Sequence, residues 1–284
     1  MTLSRRQMLQ IGAGAAVTYA TGMGLSRNGW TAPKEKIPIG LELWSVRQQC
    51  ETELPAVLKA VGEMGYDAVE LAHSYYGHDV ATWKKLLDEN GLKSCGMHMG
   101  LGALQGDKFN ETVEIHKVLG TPYLIIASLP HKKLESVEAI TETGKLFNDL
   151  ADRLAPHGMK IGYHCHGGDF QQVEGKTAWE WFGEKTGRNV VLQLDIGNCL
   201  GGGGDAMAML KAFPGRAISV HIKDHGGEPG SVFGEGKVNW PEVFEFCETV
   251  GGTKYYIIEE EGRQGPEALA SVRRAIENFR KMSK

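Results

Sequence analysis

From Lys36 onward, short runs of β-branched and aromatic residues alternate with longer amphipathic stretches, and the alternation repeats eight times before the chain ends at residue 284. Few folds accommodate that rhythm. The strand-like runs fall near 38–44, 68–72, 93–98, 123–127, 160–165, 191–195, 217–222 and 255–260. Helical patterns follow near 54–64, 79–89, 108–119, 134–157, 177–186, 205–213, 240–250 and 266–281, divided by Gly, Pro, Asn and Asp. Eight βα units in about 250 residues are the expectation for one (β/α)8 barrel, an α/β fold with a ring of parallel strands inside a ring of helices. A doubly wound open sheet is the rival. It is disfavoured because no GxGxxG links the first strand to its helix, and the GAGAAV segment lies before the first strand.

Residues 1–33 are a compositionally separate segment, leaving 34–284 as the barrel domain. The segment carries Arg5, Arg6 and Arg27 with no acid, and a small apolar run from Ile11 to Ala20. This matches a twin-arginine export signal. The expectation is therefore a protein handled by the twin-arginine export machinery and delivered to the periplasm or secreted, with cleavage after Ala20 or later. The apolar run is too short and glycine-rich for a lasting membrane anchor. A net charge of −4 without any Lys/Arg stripe argues against nucleic acid as a partner. The five cysteines, Cys50, Cys95, Cys165, Cys199 and Cys247, are odd in number and lack CxxC spacing, so they read as buried inert thiols.

Parallel strands of a barrel bring their C-terminal ends to one face. Four such ends carry metal-ligand side chains: His164 in KIGYHCH, Asp195 in VVLQLD, His221 in AISVHIKD and Glu259 in YYIIEEE. Period-two alternation points Glu42, Trp44, Glu70, His98, His166, Lys223 and Glu261 inward as well. A carboxylate or imidazole inside a packed ring must be paired, hydrogen-bonded or metal-bound. The mixed N/O quartet suits one divalent ion, of Mn, Co, Mg, Fe or Zn.

The ordered segments GLELWSVRQ, GYDAVELA, GYHCH, LDIGNC, VHIKD, FGEGKVNW and YYIIEEE resemble the xylose isomerase-like TIM-barrel family of sugar isomerases and epimerases. The likeness runs from about Ile37 to the last helix. It implies a single divalent ion held by residues from strands five to eight, with Asp195, His221 and Glu259 in the last three positions. Two departures stand out. The first position, a glutamate in the epimerases, is His164 here, followed by His166. Asn198 occupies a place where the epimerases and endonuclease IV carry a histidine.

The chemistry so implied is proton abstraction next to a carbonyl through a metal-stabilised enediolate. A sugar or keto-sugar isomerase or epimerase is the leading expectation. A lyase or hydratase acting on oxidised sugars or 3-keto-glycosides is the alternative, because only Glu259 survives of the epimerases' two glutamates. A non-catalytic exported sugar-binding protein is the reading from another class. Catalytic candidates are Glu259, Lys223 and His166; Trp44, Glu70, His98, Asn198 and Glu235 are candidates for binding the small-molecule sugar.

Overall fold

A computed structural model describes residues 36–282, so the segment 1–33 with its expected export signal lies outside the described residues. Eight parallel strands form the inner ring. They are β1 (Ile39–Glu42), β2 (Ala68–Ala72), β3 (Lys93–Met99), β4 (Tyr123–Ile126), β5 (Lys160–His164), β6 (Val191–Gln193), β7 (Ser219–His221) and β8 (Tyr255–Ile258). Around them pack α1 (Arg47–Met64), α2 (Val80–Glu89), α3 (Lys108–Leu119), α4 (Val137–Leu154), α5 (Ala178–Lys185), α6 (Ala206–Ala212), α7 (Trp240–Phe246) and α8 (Pro266–Met282). The expected (β/α)8 barrel is therefore the observed fold. Among the described residues no helix is long and apolar enough to cross a membrane.

The strands neighbour one another in the order β6-β5-β4-β3-β2-β1-β8-β7. The first and last strands lie side by side, with Ile39 opposite Tyr256 and Leu41 opposite Ile258. Between β6 and β7 the ladder thins to one parallel bridge, Asp195 with His221. There the His221 N–H donates to the Leu194 carbonyl at 3.0 Å, and lower down the Leu192 N–H reaches the Arg216 carbonyl at 3.3 Å.

Local chemistry explains the departures from the sequence expectations. Helix α1 starts seven residues before the expected position near 54, but Glu53 has non-helical angles (φ −142°, ψ 40°) and Pro55 follows it. Proline lacks the N–H for a continuous ladder, so the expected start marks the second of two helical segments. A short helix at Ile196–Gly201, capped by Asp195, was not anticipated. Neither was the antiparallel ribbon that pairs Gln172–Val173 with Lys176–Thr177.

Inside the ring, the lower layers are apolar: Ala68, Cys95 and Ile257 in one cluster, Tyr123, Ile125 and Val191 in another. Packing there leaves no spare volume. A Cβ on Gly162 would stand 2.5 Å from Ile125 Cδ1 and 2.9 Å from Val191 Cβ. A register shift between β2 and β3 pairs Val69 with Ser94 but Glu70 with Gly96, leaving Cys95 as the extra residue. Such a bulge resets the alternation, which is why Cys95 and His98, of opposite parity, both face the interior. All five cysteines are buried and unbridged.

Candidate active site

His164 and His221 end β5 and β7, while Asp195 and Glu259 lie just beyond β6 and β8. All four are buried. One ligand-type atom from each lies within 4.8 Å of the others. Asp195 divides its carboxylate between two tasks. Oδ1 accepts the Asn198 N–H at 2.7 Å and so caps the short helix. Oδ2 is buried without a partner and stands 3.8 Å from His221 Nδ1. Glu259 Oε2 approaches the same nitrogen at 2.9 Å, while the other, Nε2, meets Glu70 Oε2 at 2.7 Å.

This geometry suits a metal centre. A metal-bound imidazole usually has a carboxylate on its outer nitrogen to fix its orientation, and Glu70 has that relation to His221. Two inward carboxylates, one of them with an orphaned oxygen, and two imidazoles form a donor set that calls for positive charge. Burial lowers the basicity of His221, yet hydrogen bonds accepted by the Glu259 and Glu70 carboxylates raise its pKa well above the ordinary value. Glu259 is the converse: burial pushes it up, but His221 holds it well below the usual carboxylate range. Asp195 is raised to about 7, first by burial and then by the nearby Glu259 charge. His164 is lowered by burial and by the neighbouring His221 and His98.

Beneath the quartet lies a polar belt centred on Gln193, which the sequence reading did not single out. Its amide nitrogen donates to Glu70 at 3.0 and 3.1 Å and to Ser219 Oγ at 2.9 Å. Its amide oxygen faces His98 Nε2 at 2.7 Å and His164 Nδ1 at 3.1 Å. One side chain thus braces members of four other strands. Glu70 is fully buried in this belt rather than open to the cleft, and Gly96 makes room for it: a Cβ there would lie 2.1 Å from Glu70 Oε1. Glu42 completes the belt with one oxygen unpartnered, and burial raises its pKa well above normal despite the opposing His98 charge. His98, between Glu42 and Glu70, is driven up to about 9: burial opposes this, but the two carboxylates prevail.

Above the quartet a cleft of about 160 Å³ is lined by Trp44, His73, His98, His164, His166 and Glu259, with Ala127 and Glu261. Trp44 is 38% exposed at the rim. The His166 ring stands 4.9 Å from that of His164, edge to face. Burial lowers the His166 pKa, keeping a neutral imidazole accessible. Lys223 Nζ donates to Asn198 Oδ1 at 3.1 Å and to Glu261 at 2.5 Å. Burial weakens its ammonium, but Asp195, Glu259 and Glu261 more than compensate and raise its pKa. Asn198 in turn donates to the Cys165 carbonyl at 3.1 Å, so it positions the lysine.

Glu235 is not brought to this cleft. The loop folds its carboxylate outward onto α8, where Arg274 Nε binds it at 2.9 Å and Asn278 at 3.3 Å. His73 was missed: it lines the cleft with a left-handed backbone (φ 58°), unusual for a non-glycine residue. It follows a strand in AHSYYG, and nothing in that pattern reveals the turn.

The chain belongs to the xylose isomerase-like TIM barrel family, whose model matches residues 58–282. It is 23% identical over 256 residues to the rhizopine catabolism protein MocC of Rhizobium meliloti, covering 74% of this chain and 75% of that one. It is also 23% identical over 284 residues to an inosose dehydratase of Glaesserella parasuis, covering 84% of this chain and 89% of that one. A sugar phosphate isomerase/epimerase from Parabacteroides distasonis superposes with a TM-score of 0.74 at 23% identity, covering 87% and 98% of the two chains. The IOLI protein with a bound zinc atom superposes with a TM-score of 0.62 at 16% identity, covering 87% and 96%. At these identities the two structures share the fold.

Proposed function

We propose that the protein is a divalent-metal-dependent enzyme of sugars or keto-sugars that removes a proton beside a carbonyl and expels the oxygen on the next carbon. The observation that carries this reading is the buried quartet His164, Asp195, His221 and Glu259, opening on a cleft walled by His166. A divalent ion held by the quartet would polarise a substrate carbonyl and ease loss of the neighbouring proton. Glu70 and Gln193 hold the quartet's imidazoles in place. His166 faces the cleft and takes the proton. Lys223, kept cationic by three carboxylates, stabilises developing negative charge on oxygen. Trp44 offers an apolar face at the rim for a sugar ring, and His98 closes the cleft's inner wall.

Elimination uses these groups economically, because the proton held by His166 can be returned to the departing oxygen. The similarity to an inosose dehydratase accords with this outcome. A second reading, isomerisation, has the same proton returned to the adjacent carbon, and the similarity to a sugar phosphate isomerase/epimerase favours keeping it. Two-face epimerisation is less well served. It needs a second base opposite the first, and β5 supplies His164 where the epimerases carry a glutamate. A purely sugar-binding role leaves the buried donor quartet without a purpose, since hydroxyl recognition needs no ion.

Export by the twin-arginine route, read from Arg5 and Arg6, belongs to the same proposal and would bring the enzyme to extracellular glycosides. Fusing residues 1–33 to a folded reporter and replacing both arginines with lysine tests it. For the reaction, proton NMR in D₂O with ketoses and 3-keto-glycosides decides between the outcomes. Loss of water or an aglycone supports elimination; deuterium uptake with a new isomer moves the assignment to isomerase. Metal-loaded protein that does neither sinks both.

A further inference from the structure

A second cavity, of about 340 Å³, shares the His166 wall with the metal cleft. It is more than twice the size of the first. Its lining is mixed: Leu129, Leu134, Val173 and Ala178 offer apolar surface, while Tyr163, Asp169, His131, Glu135 and the neighbouring Ser128, Gln171 and Gln172 supply polar groups. Asp169 is buried to 8% exposure. Its Oδ2 accepts both the Tyr163 hydroxyl at 2.9 Å and the His166 N–H at 2.8 Å. The backbone of the residue dividing the two cavities is thereby anchored from the second one.

The cavity's outer edge includes the ribbon at Gln172–Val173. Its tip residue Glu174 has a left-handed backbone (φ 48°). The Glu174 carboxylate accepts the Val137 N–H at 3.4 Å, bracing the ribbon against the start of α4. Nothing in the metal chemistry requires this ribbon. The ribbon caps α5 through Thr177, and its Val173 carbonyl accepts the Trp181 indole N–H at 2.7 Å, so the cavity's outer edge is fixed in place.

We infer that the second cavity is the subsite for the leaving part of the substrate, so that the natural substrate is a 3-keto-glycoside whose O-linked group is an aryl or sugar ring. The inference rests on the elimination reading and specifies its substrate class. The C–H bond beside the carbonyl breaks and its electron pair becomes the new C=C bond. The C–O bond to the leaving group then breaks, and its oxygen keeps that pair. The proton taken by His166 passes to this oxygen, so an alcohol departs and no oxidant or reductant is needed. Because His166 borders both cavities, it meets the reacting carbon on one side and the departing oxygen on the other.

The test uses methyl NMR of the metal-loaded protein titrated with methyl β-D-glucopyranoside, phenyl β-D-glucopyranoside and cellobiose. The expected result is that phenyl glucoside or cellobiose moves the Leu129, Leu134 and Ala178 methyls and binds at least tenfold more tightly than methyl glucoside. The larger response of the two identifies the group as aryl or sugar. Val173→Trp, on the ribbon, and Leu134→Phe, as a second filling variant, should each abolish that preference while leaving methyl glucoside affinity unchanged. Cavity methyls unmoved by either larger probe, or a preference surviving both variants, overturns the subsite. A preference that is present while 3-keto-glycosides release no aglycone leaves the subsite standing and removes the elimination reading.

Discussion

The lower and upper halves of the same barrel interior obey opposite rules. Below, Ala68, Cys95, Tyr123, Ile125, Val191 and Ile257 fill the ring with largely apolar matter, and Gly162 is needed because no further carbon fits. Above, on the same strands or just past their ends, Glu42, Glu70, His98, His164, Gln193, Asp195, His221 and Glu259 are equally buried and all polar. The lower layer contributes stability through area and packing. The upper layer spends stability to hold charges at fixed positions, and it survives because each group is braced by another. The boundary is sharp. Val191 and Gln193, two residues apart on β6, belong to different regimes.

Breaking the upper layer at its ligand candidates should have the largest effect. Glu259→Gln or His221→Asn should lose bound metal while the fold persists, and turnover should fall by about 10³-fold or more. Metal analysis of the folded variants checks this; a full equivalent of ion in both would refute the ligand assignment. Gln193→Leu strikes the brace instead. It removes the amide donor from Glu70 and Ser219 and the amide acceptor from His98 and His164, so metal affinity should drop about 10–100-fold. Competitive chelator titration measures that loss, and an unchanged affinity would make Gln193 a bystander.

The lower layer sharpens the contrast. Gly162→Ala should cost about 3 kcal/mol of stability by overpacking against Ile125 and Val191, with metal affinity nearly unchanged. Urea unfolding and a metal titration on the same variant separate the two halves.

A smaller effect comes from outside the ring, at His116 on α3. Its ring is buried against the Tyr75 hydroxyl at 3.2 Å, and burial lowers its pKa to about 4. A histidine depressed in the fold binds its proton more readily when unfolded, so stability is retained above pH about 6.5 and lost as pH falls towards 4. The loss between pH 7 and 5 should be about 2 kcal/mol. Stability curves of His116→Gln should lack that slope.

The eightfold alternation made the fold legible, because strand and helix periods are local properties of the chain. The quartet was legible for a related reason: a strand end fixes which face a side chain takes, and His164, Asp195, His221 and Glu259 are residue types that rarely enter a ring without a purpose. Gln193 was not legible, since an amide in VVLQLD carries no ligand signature and its importance lies in four partners from other strands. Glu70 was read as inward but its depth was hidden. Only the pairing with Gly96, set by the bulge at Cys95, places it beneath His221 rather than beside the cleft. Glu235 was not legible either: a loop residue near a strand end can turn either way, and Arg274 and Asn278, some forty residues later, decide it.

The thin join between β6 and β7 has a consequence for how the chain completes itself. A chain whose first and last strands are well paired would be expected to fasten where its ends meet, yet this ring is weakest in mid-sequence, at Asp195 and His221. The two residues that bridge the gap are also two of the four ligand candidates. The ligand candidates here double as a clasp, so a cation shared across the gap would reinforce the two backbone bonds that join β6 to β7.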